Sequence, residues 1–135
     1  MTEQILYENP NLSITYHAEI PCLVIVWRGF TNSQVFREGL EKIFQHMVET
    51  KVRKTLTDIR EHKGIGIDDQ NFAAQKSVEF DQTHWKVKRA LIMPKDVFAR
   101  FAVKNVNAAV NQQDHQDRQM FGDYDSAIAW LKGED

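Results

Sequence analysis

The sequence predicts one α/β domain built on a single mixed β-sheet, and three features carry that reading. The first is an opening stretch in which apolar and polar residues alternate between turn residues. The second is the unbroken apolar, β-branched run from Cys22 to Trp27. The third is the remainder of the chain, where strand-like runs alternate with helix-periodic segments as in a series of βαβ units.

Element by element, Ile5 to Glu8 is a short strand candidate, and Asn9-Pro10-Asn11 is a turn, because proline fixes φ and asparagine tolerates turn geometry. From Leu12 to Glu19 the side chains alternate. Leu12, Ile14, Tyr16 and Ala18 face one way and Ser13, Thr15, His17 and Glu19 the other, which suits a half-buried strand. Cys22 to Trp27 suits a central strand covered on both faces. Thr31 and Gln34 fit the two ends of a capping box, with Phe30 and Val35 in staple positions. The helix they open carries Phe36, Leu40, Ile43, Phe44 and Met47 on one stripe.

Thr55 to Ile59 is the next predicted strand, followed by a polar loop from Arg60 to Ile67. Asp68 is placed to cap a weakly patterned helix that runs to about Asp81, with Ile67 and Phe72 as its staple. Val87 to Met93 is a strand closed by Pro94, and Asp96 caps a helix striped by Ala99, Ala102, Val103, Val106, Ala109 and Val110. Arg118 to Phe121 is a short strand. Asp123 starts a last helix that buries Tyr124, Ala127, Ile128 and Leu131 and ends at Gly133. The predicted order is β-β-β-α-β-α-β-α-β-α, a meander followed by right-handed parallel crossovers, with helices on one or both faces of the sheet.

Residues 1–135 suit one domain, with 42% hydrophobic and 27% charged residues. The net charge of -2 offers no excess of cations for nucleic acid, so none is expected as a partner. Lys86, Lys88 and Arg89 beside Trp85 read as the solvated side of a strand. The single cysteine, Cys22, excludes an intrachain disulfide and a thiolate zinc site, and it sits where a buried hydrophobe belongs. The polar start of the chain shows no signal peptide, and no apolar run approaches the ~20 residues of a membrane span. The cytoplasm is the expected compartment.

Several strings resemble the STAS/SpoIIAA-like family, STAS standing for sulfate transporter and anti-sigma factor antagonist. They are Val26-Trp27-Arg28-Gly29-Phe30 entering the first helix, Leu56-Thr57-Asp58-Ile59-Arg60, and Met120-Phe121-Gly122-Asp123 leading to Ala129-Trp130-Leu131. Their order along nearly the whole chain looks like the small stand-alone bacterial SpoIIAA-like proteins. The resemblance implies a sheet with helices packed on it and a role in binding or regulation. Switch-type members carry Asp-Ser-Ser-Gly or a close variant at the start of the helix after the central strand. Here the region reads Glu61-His62-Lys63-Gly64-Ile65-Gly66-Ile67-Asp68-Asp69, with no serine or threonine between Arg60 and Asn71, so the phospho-acceptor does not carry over.

The densest set of convertible groups is Arg60, Glu61, His62, Lys63, Asp68 and Asp69, joined by Asp58 at the end of its strand. A loop at the carboxyl end of a parallel strand is where α/β folds place ligand sites. It reads either as a recognition surface or as a solvated loop with a helix cap. Gly64-Ile65-Gly66 lacks the glycine pattern of a dinucleotide loop or a P-loop. The five histidines show no metal spacing, Asp114 to Asp117 matches no calcium or zinc loop, and no cofactor or metal is expected. Trp85, in the polar stretch Gln82-Thr83-His84-Trp85, is either a partner contact or edge packing. Three functions are open on these grounds: a non-catalytic module that binds a protein partner or itself, a carrier of a small apolar, lipid-like ligand motivated by the many aromatics, and a cofactor-free enzyme using Asp58 and His62.

Overall fold

The computed structural model describes residues 3–94, 100, 104–106, 108 and 117–133. Six strands form one sheet in the order β1-β2-β3-β4-β5-β6. They are β1 (Glu3–Glu8), β2 (Leu12–His17), β3 (Cys22–Gly29), β4 (Lys54–His62), β5 (Lys88–Ile92) and β6 (Asp117–Phe121). The pairs β1–β2 and β2–β3 are antiparallel, and β3–β4, β4–β5 and β5–β6 are parallel. The helices are α1 (Ser33–Thr50), α2 (Ile67–Thr83) and α3 (Tyr124–Leu131). Residues 104–106 and 108 are also helical. The stripe predicted from Asp96 otherwise lies outside the described residues, as does the stretch 111–116.

The strand order decides where the helices go. Successive right-handed crossovers that always step the same way put their helices on one face. Accordingly α1 and α2 cover one face of the sheet. Phe36, Ile43 and Met47 of α1 and Phe80 of α2 bury against Leu12, Ile14, Leu23, Ile25, Trp27, Ile59 and Leu91. The other face carries Cys22, Val24, Leu56, Ala90 and Ile92, covered by Ala127 and Leu131 of α3. Strand β3 is interior and buried on both faces, as its unbroken apolar run requires. Cys22 is wholly buried, and burial raises its thiol to about 11 despite the nearby Lys54.

Three differences from the sequence expectation bear on the site. The α1 N-cap is Asn32, not Thr31. Asn32 Oδ1 accepts from Val35 N at 2.8 Å, while Thr31 Oγ1 lies 3.2 Å from His62 Nε2. With the cap shifted by one, Phe30 is no longer a staple and is 81% exposed. Asp68 caps nothing: α2 starts two residues earlier than that cap would place it, behind Gly66 as N-cap, and Asp68 and Asp69 lie in the first turn, where their charge suits the helix dipole. Strand β4 does not end at Ile59 but continues through the polar Arg60 and Glu61 to His62.

That extension contains a bulge. Val26 pairs with Asp58 and Arg28 with Glu61, so β4 spends one residue more than β3. An extra residue reverses the alternation beyond it. Thr57, Ile59 and His62 thereby all face α1, and Glu61 points to solvent. Gly39 brings α1 close to the same end of the sheet. A Cβ built there would lie 2.4 Å from Trp27 Cη2 and 3.0 Å from Leu12 Cδ2.

Candidate functional site

Between the sheet and the α1/α2 layer lies a partly enclosed cavity of about 140 Å³. An apolar cavity of roughly 150 Å³ suffices to hold a benzene-sized molecule. Its apolar wall comes from Ile25, Trp27, Phe36, Ile43, Ile59 and Leu91, among others. The crossover helices supply one side through Leu40, Phe44 and Ala73, and the sheet supplies the other. The same wall also holds polar groups: Thr55, Thr57, Ser77, Arg89, Arg118 and His62.

Ser77 comes from α2, and the other polar groups come from the strands. Thr55 of β4 pairs with Arg89 of β5, and Arg89 with Arg118 of β6, so the three are successive neighbours across the sheet. Arg89 is buried and paired: Nη1 and Nη2 donate to Asp81 Oδ2 and Oδ1 at 2.9 and 3.0 Å. Both residues are less than a tenth exposed. The expectation of a solvated strand face at Lys86, Lys88 and Arg89 is therefore corrected at Arg89. Lys88 points to the opposite face, with Nζ 4.4 Å from the Trp130 ring centroid and donating to the Trp130 carbonyl at 2.7 Å.

His62 closes the cavity at the carboxyl end of β4. It is 6% exposed and packs its ring against Trp27 and Phe36, with centroids 5.6 and 6.4 Å away. Burial lowers its pKa to about 4, so it is neutral at pH 7.

Asp58 sits on the other face, in a cleft lined by Val26, Arg28, Arg60 and Glu61. Arg60 clamps it, with Nε donating to Oδ1 at 3.0 Å and Nη2 to Oδ2 at 2.8 Å. Burial pulls the Asp58 pKa upward, but the hydrogen bonds and charge of Arg60 outweigh it and hold the carboxyl below its ordinary value. The constellation imagined for an enzyme does not form, because Asp58 and His62 face opposite sides of the sheet and Asp58 is held as a paired carboxylate.

The remaining predicted residues are also separated. Asp68 is exposed, whereas Asp69 is buried and ties α2 to α1. Its carboxylate accepts from Ser33 Oγ at 2.7 Å and Arg37 Nε at 2.8 Å. Arg37 also lies 4.3 Å over the Phe72 ring. Trp85 is half-buried, donates Nε1 to the Val52 carbonyl at 2.9 Å and meets Phe80 edge-on at 5.6 Å. Asp58, Arg60 and Glu61, then His62, then Asp68 and Asp69 are three separate environments rather than one loop. Among the described residues, no group of three or more His, Cys, Asp or Glu is placed to hold a metal ion, and no helix is long and apolar enough to cross a membrane.

Sequence reasoning missed Arg89, Arg118 and Asp81. The signal was available in the phase of the strands: Arg89 is in step with Leu91, and Arg118 with Met120, on the face that α1 and α2 cover.

The architecture is that of a SpoIIAA-like α/β fold. The chain is similar in structure to the crystal structure of an uncharacterized protein from the DUF3478 family with a SpoIIAA-like fold, from Shewanella loihica. The TM-score is 0.54 at 16% identity, over 96% of this chain and 91% of that one. No family model matches the sequence, and no curated protein matches it.

Proposed function

We propose that the protein is a non-catalytic, STAS-like binding module that holds a small, largely apolar molecule between its sheet and the α1/α2 layer, without a phosphorylation switch. The observation that carries this is the partly enclosed cavity, walled by aromatic and aliphatic side chains from both layers. Well-packed interiors rarely keep such space unless it is used. The separation of Asp58 from His62 argues for binding over chemistry, and the lack of Ser or Thr between Arg60 and Asn71 argues against a switch.

Native mass spectrometry of protein purified from its own host tests the reading. The expected spectrum shows an added small mass that disappears on denaturation. Ala73→Phe, which places a large ring in the cavity, removes that mass while the protein stays folded. Folded wild-type protein that carries no added mass and takes up no small apolar probe would sink the proposal.

A second reading is docking of a protein partner at the carboxyl end of the parallel strands. It is favoured by Phe30, 81% exposed just before α1, and Ile67, 59% exposed at the first position of α2. Phe30→Ser with Ile67→Ser leaves the fold intact and, on this reading, abolishes partner capture.

A further inference from the structure

Among the described residues, one part of the cavity wall gathers two cations around one carboxylate. Thr55, Arg89 and Arg118 are consecutive partners on β4, β5 and β6, and all three line the cavity. Neighbouring strands are only about 4.8 Å apart, which sets the two guanidinium groups side by side. The carboxylate of this cluster, Asp81, gives both oxygens to Arg89. Arg118, the second guanidinium, lies within the field of the same carboxylate. Its Nε is buried and has no hydrogen-bond partner among the described residues. Burial, and after it the adjacent Arg89, lower the Arg118 pKa to about 9, with Asp81 opposing, so the group is still a cation at pH 7. His62, the other ionisable side chain lining the cavity, is neutral and adds no charge.

An unpartnered buried donor on a cation is an unmet demand for an anion. We propose that the cavity selects a monoanionic amphiphile, a carboxylic acid with a compact apolar body, its carboxylate on Arg118 beside the Arg89–Asp81 pair. The apolar body then lies against Ile25, Phe36 and Leu91. This inference rests on the reading of the cavity as a ligand site. The charge count among the described residues favours one negative charge: two arginines against one aspartate leave a surplus of one, which a carboxylate balances and a dianionic phosphate overshoots. The planar guanidinium fork also matches a carboxylate in geometry.

Binding of octanoate and 3-phenylpropanoate is compared with that of 1-octanol, 3-phenylpropanol and octyl phosphate, followed by calorimetry and by fluorescence of Trp27, which lines the cavity. The acids are expected to bind about tenfold or more tightly than their alcohols, the range of a charge-assisted hydrogen bond. In Arg118→Met that preference collapses to about twofold, while alcohol affinity stays near wild type and the unliganded variant melts no lower than wild type, since it loses an uncompensated buried charge. Alcohols that bind as well as acids to the wild type overturn the anion assignment and leave the cavity reading standing. Tighter binding of octyl phosphate than of octanoate overturns the monoanion assignment. If neither acids nor alcohols bind, both readings fall. The acid-to-alcohol comparison is made on the wild-type protein, so it decides even if Arg118→Met does not fold.

Discussion

His62 makes the protein acid-sensitive in a window that can be calculated. Its ordinary pKa of 6.5 falls to about 4 in the folded chain because the ring is buried against Trp27 and Phe36. Between those values the unfolded chain binds a proton that the folded chain refuses, so stability must fall as pH falls. The contribution is fully present above pH 6.5 and lost progressively down to pH 4. Each pKa unit is worth about 1.4 kcal/mol, so the full loss is about 3 kcal/mol, and about 2 kcal/mol is gone at pH 5. Asp58 and Asp123 are held below their ordinary 3.8, so their own loss comes at lower pH. Urea denaturation of wild type and His62→Gln at pH 7 and pH 5 isolates the effect. The wild type should lose about 2 kcal/mol more than the variant between the two conditions. A difference below about 0.5 kcal/mol would show that the ring is hydrated or protonated in the folded state, and the burial argument would fail.

Three other perturbations have defined outcomes. Gly39→Ala gains helix propensity yet sets a methyl 2.4 Å from the Trp27 ring, so thermal denaturation should show a net loss of about 1–3 kcal/mol; a gain would mean α1 can lift off the sheet freely. Asp81→Ala leaves Arg89 buried without its carboxylate and should cost about 3–5 kcal/mol, with Asp81→Ala plus Arg89→Met recovering much of it. Val24→Asp puts an unpaired charge on the interior strand under α3 and should abolish cooperative melting; a soluble variant with a normal transition would contradict the placement of β3.

The sheet is readable from the sequence where a single physical cause dominates. Cys22 to Trp27 is apolar on both faces because both faces are covered, and the α1 stripe keeps a 3.6-residue period because one side meets the sheet. Helix α2 reads poorly because its inward face holds Asp69, Ser77 and Asp81, and the partners of its two aspartates, on α1 and β5, are not evident from sequence. The end of β4 escapes a sequence reading because Arg60 and Glu61 look like loop residues, although Arg60 lies flat on Asp58 within the strand. The site escapes it for a related reason. Arginine next to lysine suggests solvent and masks the phase that Arg89 shares with Leu91, while the pairing of β5 with β6 sets Arg89 beside Arg118.

The strictly consecutive strand order has a consequence for how the chain folds as it is made. Each strand, as it is synthesised, finds its one required neighbour already in place, so no pairing waits for a later segment. Mean sequence separation between partners stays low for a parallel sheet, which favours rapid zippering from β1 towards β6. Arg118 rides on the last strand of that series and reaches the cavity after Arg89 and Asp81 have met. Its charge then enters only once most of the structure exists. A substitution at Arg118 should accordingly alter the rate of unfolding far more than the rate of folding.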